Sequence, residues 1–374
     1  MPLDTGFDGK TLDATIMNGG DVVPDWNPEV DDVLVCRQVR QETADVKTFV
    51  FSGRRPCLFR FKPGQFLTLE LSIGGRKVNR CYTISSSAAQ PYRLSITVKR
   101  VPGGTVSNWL HDTMRPGLEV RATGPMGDFT LTEGNGNAAK YLFLSGGSGI
   151  TPSMSMTRTF SDLGEDRDIV FVHAARSPAD IIFRQELDLM ARRMPRLRVA
   201  HLCEAITGEP GWPGFTGRLS LPMLQLIAPD FLERAVYVCG PGPFMAALRA
   251  MLEQAGFDMA RYHQESFTFE ELERAKAPPP QAPATATSRF RVEFTKSRKT
   301  VECDANTTIL EAARAAGLRL PSSCSRGLCG TCKSRKLSGE VEMKHAGGIR
   351  QREIDQGQIL LCCSRPTSDL VIER

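Results

Sequence analysis

Between residues 31 and 135 the apolar positions come in short alternating runs: Lys47–Phe51 (KTFVF), Phe66–Leu71 (FLTLEL), Tyr82–Ser85 and Leu94–Lys99 (LSITVK). A period of two is that of strands with one face buried, and the Gly and Pro between the runs predict an antiparallel β-barrel or sandwich. From Lys140 the pattern changes. Apolar runs at Tyr141–Ser145, Ile169–His173, Arg198–Leu202 and Ala235–Cys239 alternate with helical stretches such as Phe183–Met194 and Pro243–Ala255. That is the signature of a parallel α/β sheet over residues 138–270. Residues 271–288 hold a Pro/Ala-rich linker with its core at Ala275–Ser288 (AKAPPPQAPATATS), which offers nothing to build a core and reads as a semi-rigid spacer. Residues 289–374 are then a small separate unit, and residues 1–30, without periodicity, an N-terminal extension.

Composition narrows the class. With 374 residues, 41% apolar and 24% charged, the chain is large enough for several cores and is neither fibrous nor disordered. No apolar run approaches the ~20 residues that span a bilayer, and MPLDTGFDGK has no basic or apolar signal region, so a cytoplasmic protein without membrane partners is expected. Residues 289–374 hold 16 Lys+Arg against 10 Asp+Glu, while the rest hold 31 against 32, so the positive excess sits in one unit. No basic run interleaved with aromatics accompanies it, and nucleic acid is not an expected partner. Eleven cysteines form an odd number, and five of them (Cys324, Cys329, Cys332, Cys362, Cys363) crowd into 51 residues, which favours metal or cluster ligation over disulfides. Cys36, Cys57, Cys81, Cys203 and Cys303 read as buried or incidental thiols.

Two glycine turns follow apolar strands. Gly146-Gly147-Ser148-Gly149-Ile150-Thr151-Pro152 leads into a helix, where free N–H groups and the positive dipole end suit a diphosphate. A tight structural turn is the alternative, though it needs one glycine rather than three. Cys239-Gly240-Pro241-Gly242-Pro243 ends a second strand, which in an open α/β sheet opens on the same crevice. Cys239 there is either pocket lining or a small buried residue. Earlier, Arg80-Cys81-Tyr82-Thr83 offers a phosphate ligand, an aromatic face and a hydroxyl, against the plainer reading of an exposed edge strand. Pro102–Leu110 (PGGTVSNWL) adds another glycine turn into a helix. Together these favour a phosphate-bearing aromatic cofactor. Of the five histidines, His111, His201 and His345 read as surface or packing residues, while His173 and His263 lie near strand ends facing the crevice.

Cys324-x4-Cys329-x2-Cys332, then 29 residues, then Cys362 is the plant-type spacing of a [2Fe–2S] cluster. A loop with Gly327 and Gly330 can wrap three thiolates around the core while a distant segment closes it. A zinc site is the alternative, but zinc prefers two C-x2-C pairs and only one exists here.

These motifs resemble the ferredoxin–NAD(P)+ reductase superfamily fused to a C-terminal plant-type ferredoxin of β-grasp α+β fold, over about Asp31 to Arg374. The wording RCYTISSS, ITVKRVPGGTVSNWLHD, HAARSPADIIFR and YHQESF is most similar to reductase components of Rieske oxygenases that demethylate glycine betaine or stachydrine, with hybrid-cluster-protein reductases close by. The resemblance implies that Arg80, Cys81, Tyr82 and Thr83 hold a flavin, with Thr97, Val98 and Lys99 leading to the Gly104-Thr105-Val106-Ser107 turn that receives its diphosphate. It places the nicotinamide nucleotide on Gly146, Gly147, Gly149, Thr151 and Pro152, and beside Cys239, Gly240 and Pro241. Glu265 and Phe267 belong to the closing strand near the flavin. Thr83, Cys239 and Glu265 stand at the point of hydride transfer, and Cys362, rather than Cys363, is the fourth cluster ligand.

The implied function is an NAD(P)H:acceptor oxidoreductase passing electrons from nicotinamide through flavin and cluster to a terminal oxygenase or other acceptor protein with an acidic docking face. A reductase for a hybrid-cluster protein, and a flavin/iron–sulfur redox sensor, are the competing readings. FAD is favoured over FMN because the 103–107 turn supplies a second anion site. Arg176, Ser177 and Arg184 follow a strand where a 2′-phosphate would lie, so their chemistry points to NADPH, whereas the resemblance implies NADH.

Overall fold

The computed structural model describes residues 23–28, 30–131, 140–266, 288–320, 322, 327, 332–345, 349 and 351–374. Most of the N-terminal extension, nearly all of the linker, and Phe267, Cys324, Cys329 and Gly330 lie outside the described residues.

Six antiparallel strands form the first sheet: β1 (Val33–Thr43), β2 (Val46–Gly53), β3 (Phe66–Ile73), β4 (Arg76–Thr83), β5 (Leu94–Lys99) and β6 (Glu119–Met126), in the order β4-β3-β6-β1-β2-β5. The two outer strands come together just past β4. Ile84 bridges Ile96, and the Ser85 N–H donates to the Ser95 carbonyl at 2.7 Å, which curls the sheet into a barrel. Alternation places Leu34, Phe49, Phe51, Leu67, Leu69, Ile84 and Ile96 inside it, all fully buried. Each such side chain contributes about 1.5–3 kcal/mol on leaving water. Helix α1 (Thr105–Thr113) adds Val106 and Leu110 to this core.

The second sheet is parallel throughout: β7 (Lys140–Gly146), β8 (Asp168–Ala175), β9 (Leu197–Cys203), β10 (Phe215–Thr216), β11 (Ala235–Gly240) and β12 (Tyr262–Ser266), ordered β10-β9-β8-β7-β11-β12. Its strands are apolar on both faces because helices cover both. Tyr141, Phe143, Tyr237 and Cys239 join one core with α2 (Thr151–Leu163) and α3 (Arg184–Arg193). Leu142, Leu144, Val236 and Val238 join the other with α4 (Leu221–Ile227) and α5 (Gly242–Gln254). Arg234, fully buried, ties the sheet together through Asp230 at 2.8 and 2.9 Å, Asp168 at 2.8 Å and the Tyr141 carbonyl at 3.2 Å. The strand order reverses between β7 and β11, where open α/β sheets leave a crevice beyond their carboxyl ends.

The third unit has β13 (Arg289–Phe294), β14 (Lys299–Asp304), β15 (Lys333–Ser338), β17 (Gln358–Leu360) and β19 (Leu370–Glu373), ordered β14-β13-β19-β15-β17, and a β-ribbon of β16 (Val341–Met343) and β18 (Ser364–Pro366). Helix α6 (Ile309–Ala315) packs on this mixed sheet, and Thr308 and Glu311 close its first turn reciprocally as a capping box. A short α7 (Gln351–Asp355) precedes β17. The architecture is therefore the one expected: an antiparallel barrel, a parallel α/β sheet and a β-grasp α+β unit. Among the described residues no helix is long and apolar enough to cross a membrane.

Candidate functional site

The two glycine turns lie against each other at the crevice. A Cβ on Gly149 would stand 2.4 Å from the Cys239 carbonyl oxygen, so only glycine lets the loop after β7 rest on the backbone after β11. Gly147 has φ 52° and no atom within 4 Å of where its Cβ would be, so it faces open space. A short 3₁₀ turn at Gly147–Ile150 follows, and α2 starts at Thr151 with Pro152 in its first turn, presenting free N–H groups at the crevice.

The same helix fastens this crevice to the barrel. Ser155 Oγ donates to the Ser86 carbonyl at 2.7 Å, the Ala88 N–H to Thr159 Oγ1 at 3.0 Å, and Gln90 Nε2 to Asp162 at 3.0 Å. Arg158 reaches the Ser85 carbonyl and grips Glu186 with two bonds of 2.7 and 2.6 Å. These barrel residues follow Thr83 directly, so the helix that begins at one motif docks on the segment continuing from the other.

On β4, Arg80 and Tyr82 alternate with Cys81 and Thr83, with Tyr82 packed on the barrel core and the Cys81 thiol 3.2 Å from the Thr68 hydroxyl. Thr83 is buried, and its hydroxyl has no hydrogen-bond partner among the described residues. Such a group costs about 1–3 kcal/mol unless something outside the chain satisfies it. On β5, the Thr97 hydroxyl meets Thr48 at 2.8 Å and Ser85 at 2.9 Å, Val98 is core, and Lys99 lies 3.6 Å from Asp45. Gly104 caps α1, and the turn before it is braced from within. Ser107 Oγ accepts the Val101 N–H at 3.2 Å, and Asn108 Nδ2 donates to the carbonyls of Val101 and Gly104 at 3.0 and 2.7 Å. Thr105 and Val106 open the helix, and Gly103, at φ 74°, faces open space.

The arginines after β8, whose chemistry suits a phosphate, are each paired with carboxylates. Arg176 already holds Asp45 at 3.0 Å and Asp180 at 2.7 Å, and Ser177 Oγ donates to Asp180 at 2.7 Å. Arg184 is clamped on Glu209 by bonds of 2.6 and 2.8 Å and lies over the Trp212 ring. Each of these cations thus has a carboxylate partner. Asp45, Asp180 and Glu209 were not singled out from the sequence; only Asp180, four residues after Arg176, left a local signal.

Sheet register places Cys239 beside Ser145 on one side and Glu265 on the other. Burial, then the Glu265 charge, push the Cys239 thiol well above its ordinary value, so it stays protonated. His173, fully buried, takes Ser145 Oγ on Nδ1 at 2.9 Å, while its Nε2 has no partner among the described residues. Burial, aided by His201 and Lys99, lowers its pKa to about 3. His263 stacks on Tyr237 at 4.5 Å, His111 is a buried packing residue, His201 is half-buried 3.5 Å from Asp188, and His345 is exposed.

Of the expected cluster ligands, Cys332 and Cys362 are described, both buried. The Gly327 N–H donates to Cys362 Sγ at 3.2 Å and the Cys362 N–H to Cys332 Sγ at 3.4 Å. Backbone donors aimed at sulfur are what a thiolate-held cluster needs. The Cys363 thiol donates to the Leu360 carbonyl at 3.6 Å and also lies close to Gly327. The unit touches the barrel through Arg319, 3.0 Å from Asp32, and Lys333, 3.8 Å from Asp128.

An antiparallel barrel with an orphaned hydroxyl, a glycine-lined crevice and a thiolate pocket in one chain define an electron-transfer oxidoreductase. Residues 34–131 match the oxidoreductase FAD-binding domain, 143–250 the oxidoreductase NAD-binding domain and 292–367 the 2Fe-2S iron-sulfur cluster binding domain. The glycine betaine monooxygenase reductase subunit of Pseudomonas aeruginosa (strain UCBPP-PA14) is 48% identical over 90% of this chain and 94% of its own length. The stachydrine N-demethylase reductase subunit of Rhizobium meliloti (strain 1021) is 43% identical over 91% and 96%. Among solved structures, phthalate dioxygenase reductase, a modular structure for electron transfer from pyridine nucleotides to [2Fe–2S], aligns with a TM-score of 0.57 at 26% identity, covering 93% of this chain and all of that one. The chain belongs to this family of FAD-, NAD- and [2Fe–2S]-binding reductases, and it passes electrons from NADH through FAD to the cluster. The residues fit these groups. Thr83 offers an unsatisfied buried hydroxyl, Gly103 and Gly147 leave open backbone, and Cys332 and Cys362 converge with N–H donors on their sulfurs.

Proposed function

We propose that this cytoplasmic reductase serves a terminal Rieske-type oxygenase that N-demethylates a quaternary ammonium substrate of the glycine betaine or stachydrine kind. The observation that carries it is the 48% identity along nearly the whole length of a glycine betaine monooxygenase reductase subunit. The chain divides into a flavin unit at 31–135, a nucleotide unit at 138–270, a linker at 271–288 and a ferredoxin unit at 289–374.

Within this reading, Arg80, Tyr82, Thr83 and the turn at Gly104–Ser107 bind FAD, and Gly146, Gly147, Gly149, Thr151 and Pro152 bind the nucleotide diphosphate with N–H groups. Cys239, uncharged and small, leaves the nicotinamide room, and Glu265 and Thr83 border the place of hydride transfer. Cys324, Cys329, Cys332 and Cys362 hold the cluster. FAD supplies the conversion between a two-electron hydride and the single electrons that a [2Fe–2S] cluster accepts. The chain supplies position, and the Arg158–Glu186 clamp and the 85–90 segment keep the two redox pockets in register. The positive excess of the ferredoxin unit fits an oxygenase with an acidic docking face.

The test is reconstitution with the Rieske oxygenase of a betaine or stachydrine demethylation system. The reading predicts NADH oxidation coupled to substrate demethylation, slowing as salt rises. NADH oxidation without demethylation, or electron delivery only to a hybrid-cluster protein, overturns it.

A further inference from the structure

The ferredoxin unit meets the barrel through charge. On the barrel, Asp32 accepts Arg121 Nη1 at 3.4 Å, and the pairing of β3 with β6 sets Glu70 directly opposite Arg121. Directly opposed residues share a face of the sheet, so two carboxylates stand beside one cation and leave a net negative charge. Arg319 answers it from the ferredoxin unit. Its Nη1 donates to Asp32 Oδ2 at 3.0 Å and lies 3.9 Å from Glu70. The Asp32 and Glu70 side chains are each 20% exposed and that of Arg319 is 53% exposed, so the contact is a rim of ion pairs open to solvent on the arginine side.

The place of the contact matters as much as its sign. In the chain, Arg319 precedes Cys324 by five residues and Lys333 follows Cys332 directly, so the two bracket the three-cysteine segment. Lys333 is held at 2.6 Å by Glu353 of its own unit and lies 3.8 Å from Asp128 of the barrel. Asp128 comes two residues after Met126, which pairs with Phe66, and Phe66 pairs with Thr83. The residues that bracket the cysteines of one unit therefore touch the barrel on the strand row that holds the orphaned Thr83 hydroxyl. In sequence the units are joined by the Pro/Ala-rich stretch Ala275–Ser288, whose composition offers no core to hold them together. Exposed ion pairs are weak and screened, so they dock such a unit without locking it in place.

We propose that Arg319 is a shared docking residue. The barrel carboxylates Asp32 and Glu70 hold it while the ferredoxin unit takes an electron from the flavin, and an acidic face on the terminal oxygenase holds it while that electron is given up. The two docked states exclude each other because they use one guanidinium. The second half rests on the oxygenase proposed above as partner; the first half does not. Each visit carries one electron, and no bond forms or breaks.

The experiment mixes the full, cofactor-loaded chain with NADH under anaerobic stopped flow, without a partner, and follows the flavin and cluster bands separately. Wild type is compared with Arg319→Gln, with Asp32→Asn/Glu70→Gln, with the triple variant, and with the exposed control Arg291→Gln. Flavin-to-cluster transfer should slow about threefold to fivefold in Arg319→Gln and in Asp32→Asn/Glu70→Gln, the scale of an exposed ion pair, and no further in the triple variant. Flavin reduction by NADH should hold within about twofold throughout, and Arg291→Gln should do so in every step, because solvent screens its charge. The pre-reduced proteins are then mixed with the Rieske oxygenase of a betaine or stachydrine demethylation system. Arg319→Gln should slow delivery about fivefold on either background, while Asp32→Asn/Glu70→Gln alone should match or exceed the wild-type rate. A normal flavin-to-cluster step in Arg319→Gln, further slowing in the triple variant, or slowed delivery in the carboxylate variant overturns the proposal. A wild type that reduces its cluster and delivers nothing overturns the assignment of the partner instead, and the partner-free arm tells the two failures apart.

Discussion

The nucleotide crevice and the iron–sulfur unit differ in their balance of charge. Beside the crevice the described arginines are answered by carboxylates: Arg176 by Asp45 and Asp180, Arg184 by Glu209, and Arg158, on the barrel side, by Glu186. In the iron–sulfur unit the basic residues outnumber the acidic ones, 16 to 10. The difference follows from what each region must hold. In the proposed reading NADH brings only its diphosphate, for backbone N–H groups at Gly147 and the start of α2, and an arginine freed of its carboxylate would favour NADPH. A [2Fe–2S] cluster gains negative charge on reduction, and the proposed docking to an acidic face would draw on the same positive excess.

The largest test of that contrast removes the anion itself. Cys362→Ser should abolish cluster-dependent reduction of cytochrome c, by about 100-fold or more, while NADH-dependent reduction of ferricyanide through the flavin persists; Cys363→Ser should keep both. Cluster loss from the Cys363 variant instead would reassign the ligand. Next in size, freeing the arginines should blur the nucleotide preference. Asp180→Asn combined with Glu209→Gln should raise kcat/KM for NADPH about tenfold, through the arginine–phosphate bonds it permits, with NADH little changed. Steady-state kinetics with both nucleotides decide it.

A third test uses His173, whose folded pKa of about 3 lies below its ordinary value. A neutral buried histidine stabilises the fold above pH ~6.5, and the unfolded chain takes up the proton as pH falls below that. Stability should therefore fall from about pH 6.5 toward pH 4, with a slope of up to about 1.4 kcal/mol per pH unit from this residue. Urea unfolding across that range should show the slope, and His173→Gln should flatten it; an unchanged slope would mean the imidazole is already protonated in the fold. The smallest effect is ionic. Raising salt from about 0.05 to about 0.5 M should slow delivery to the oxygenase severalfold while leaving NADH-to-ferricyanide turnover nearly flat, since only the former joins two charged surfaces.

Much of this molecule is written locally. Period-two runs such as LSITVK and apolar runs such as Tyr141–Ser145 became β5 and β7 because alternation and double-sided burial leave marks in the order of residues. The cluster spacing was legible because a metal core fixes how far apart its thiolates can be. The close approach of Gly149 to Cys239 was signalled by three glycines where a turn needs one. What the sequence did not disclose comes from residues far apart in the chain. Arg176 reads as a phosphate ligand until Asp45, 131 positions earlier, is seen beside it. Barrel closure at Ile84 and Ile96 and the docking of α2 on residues 85–90 likewise depend on strand order and register, which no local pattern encodes.

Electrons enter this protein from NADH and pass through FAD to the cluster. An anaerobic titration of the purified protein, followed in the visible spectrum, measures this in one experiment. NADH should bleach the flavin bands and then the [2Fe–2S] bands, and NADPH at the same concentration should do so far more slowly. Cluster bands that ignore NADH while the flavin bleaches, or equal response to the two nucleotides, would contradict it.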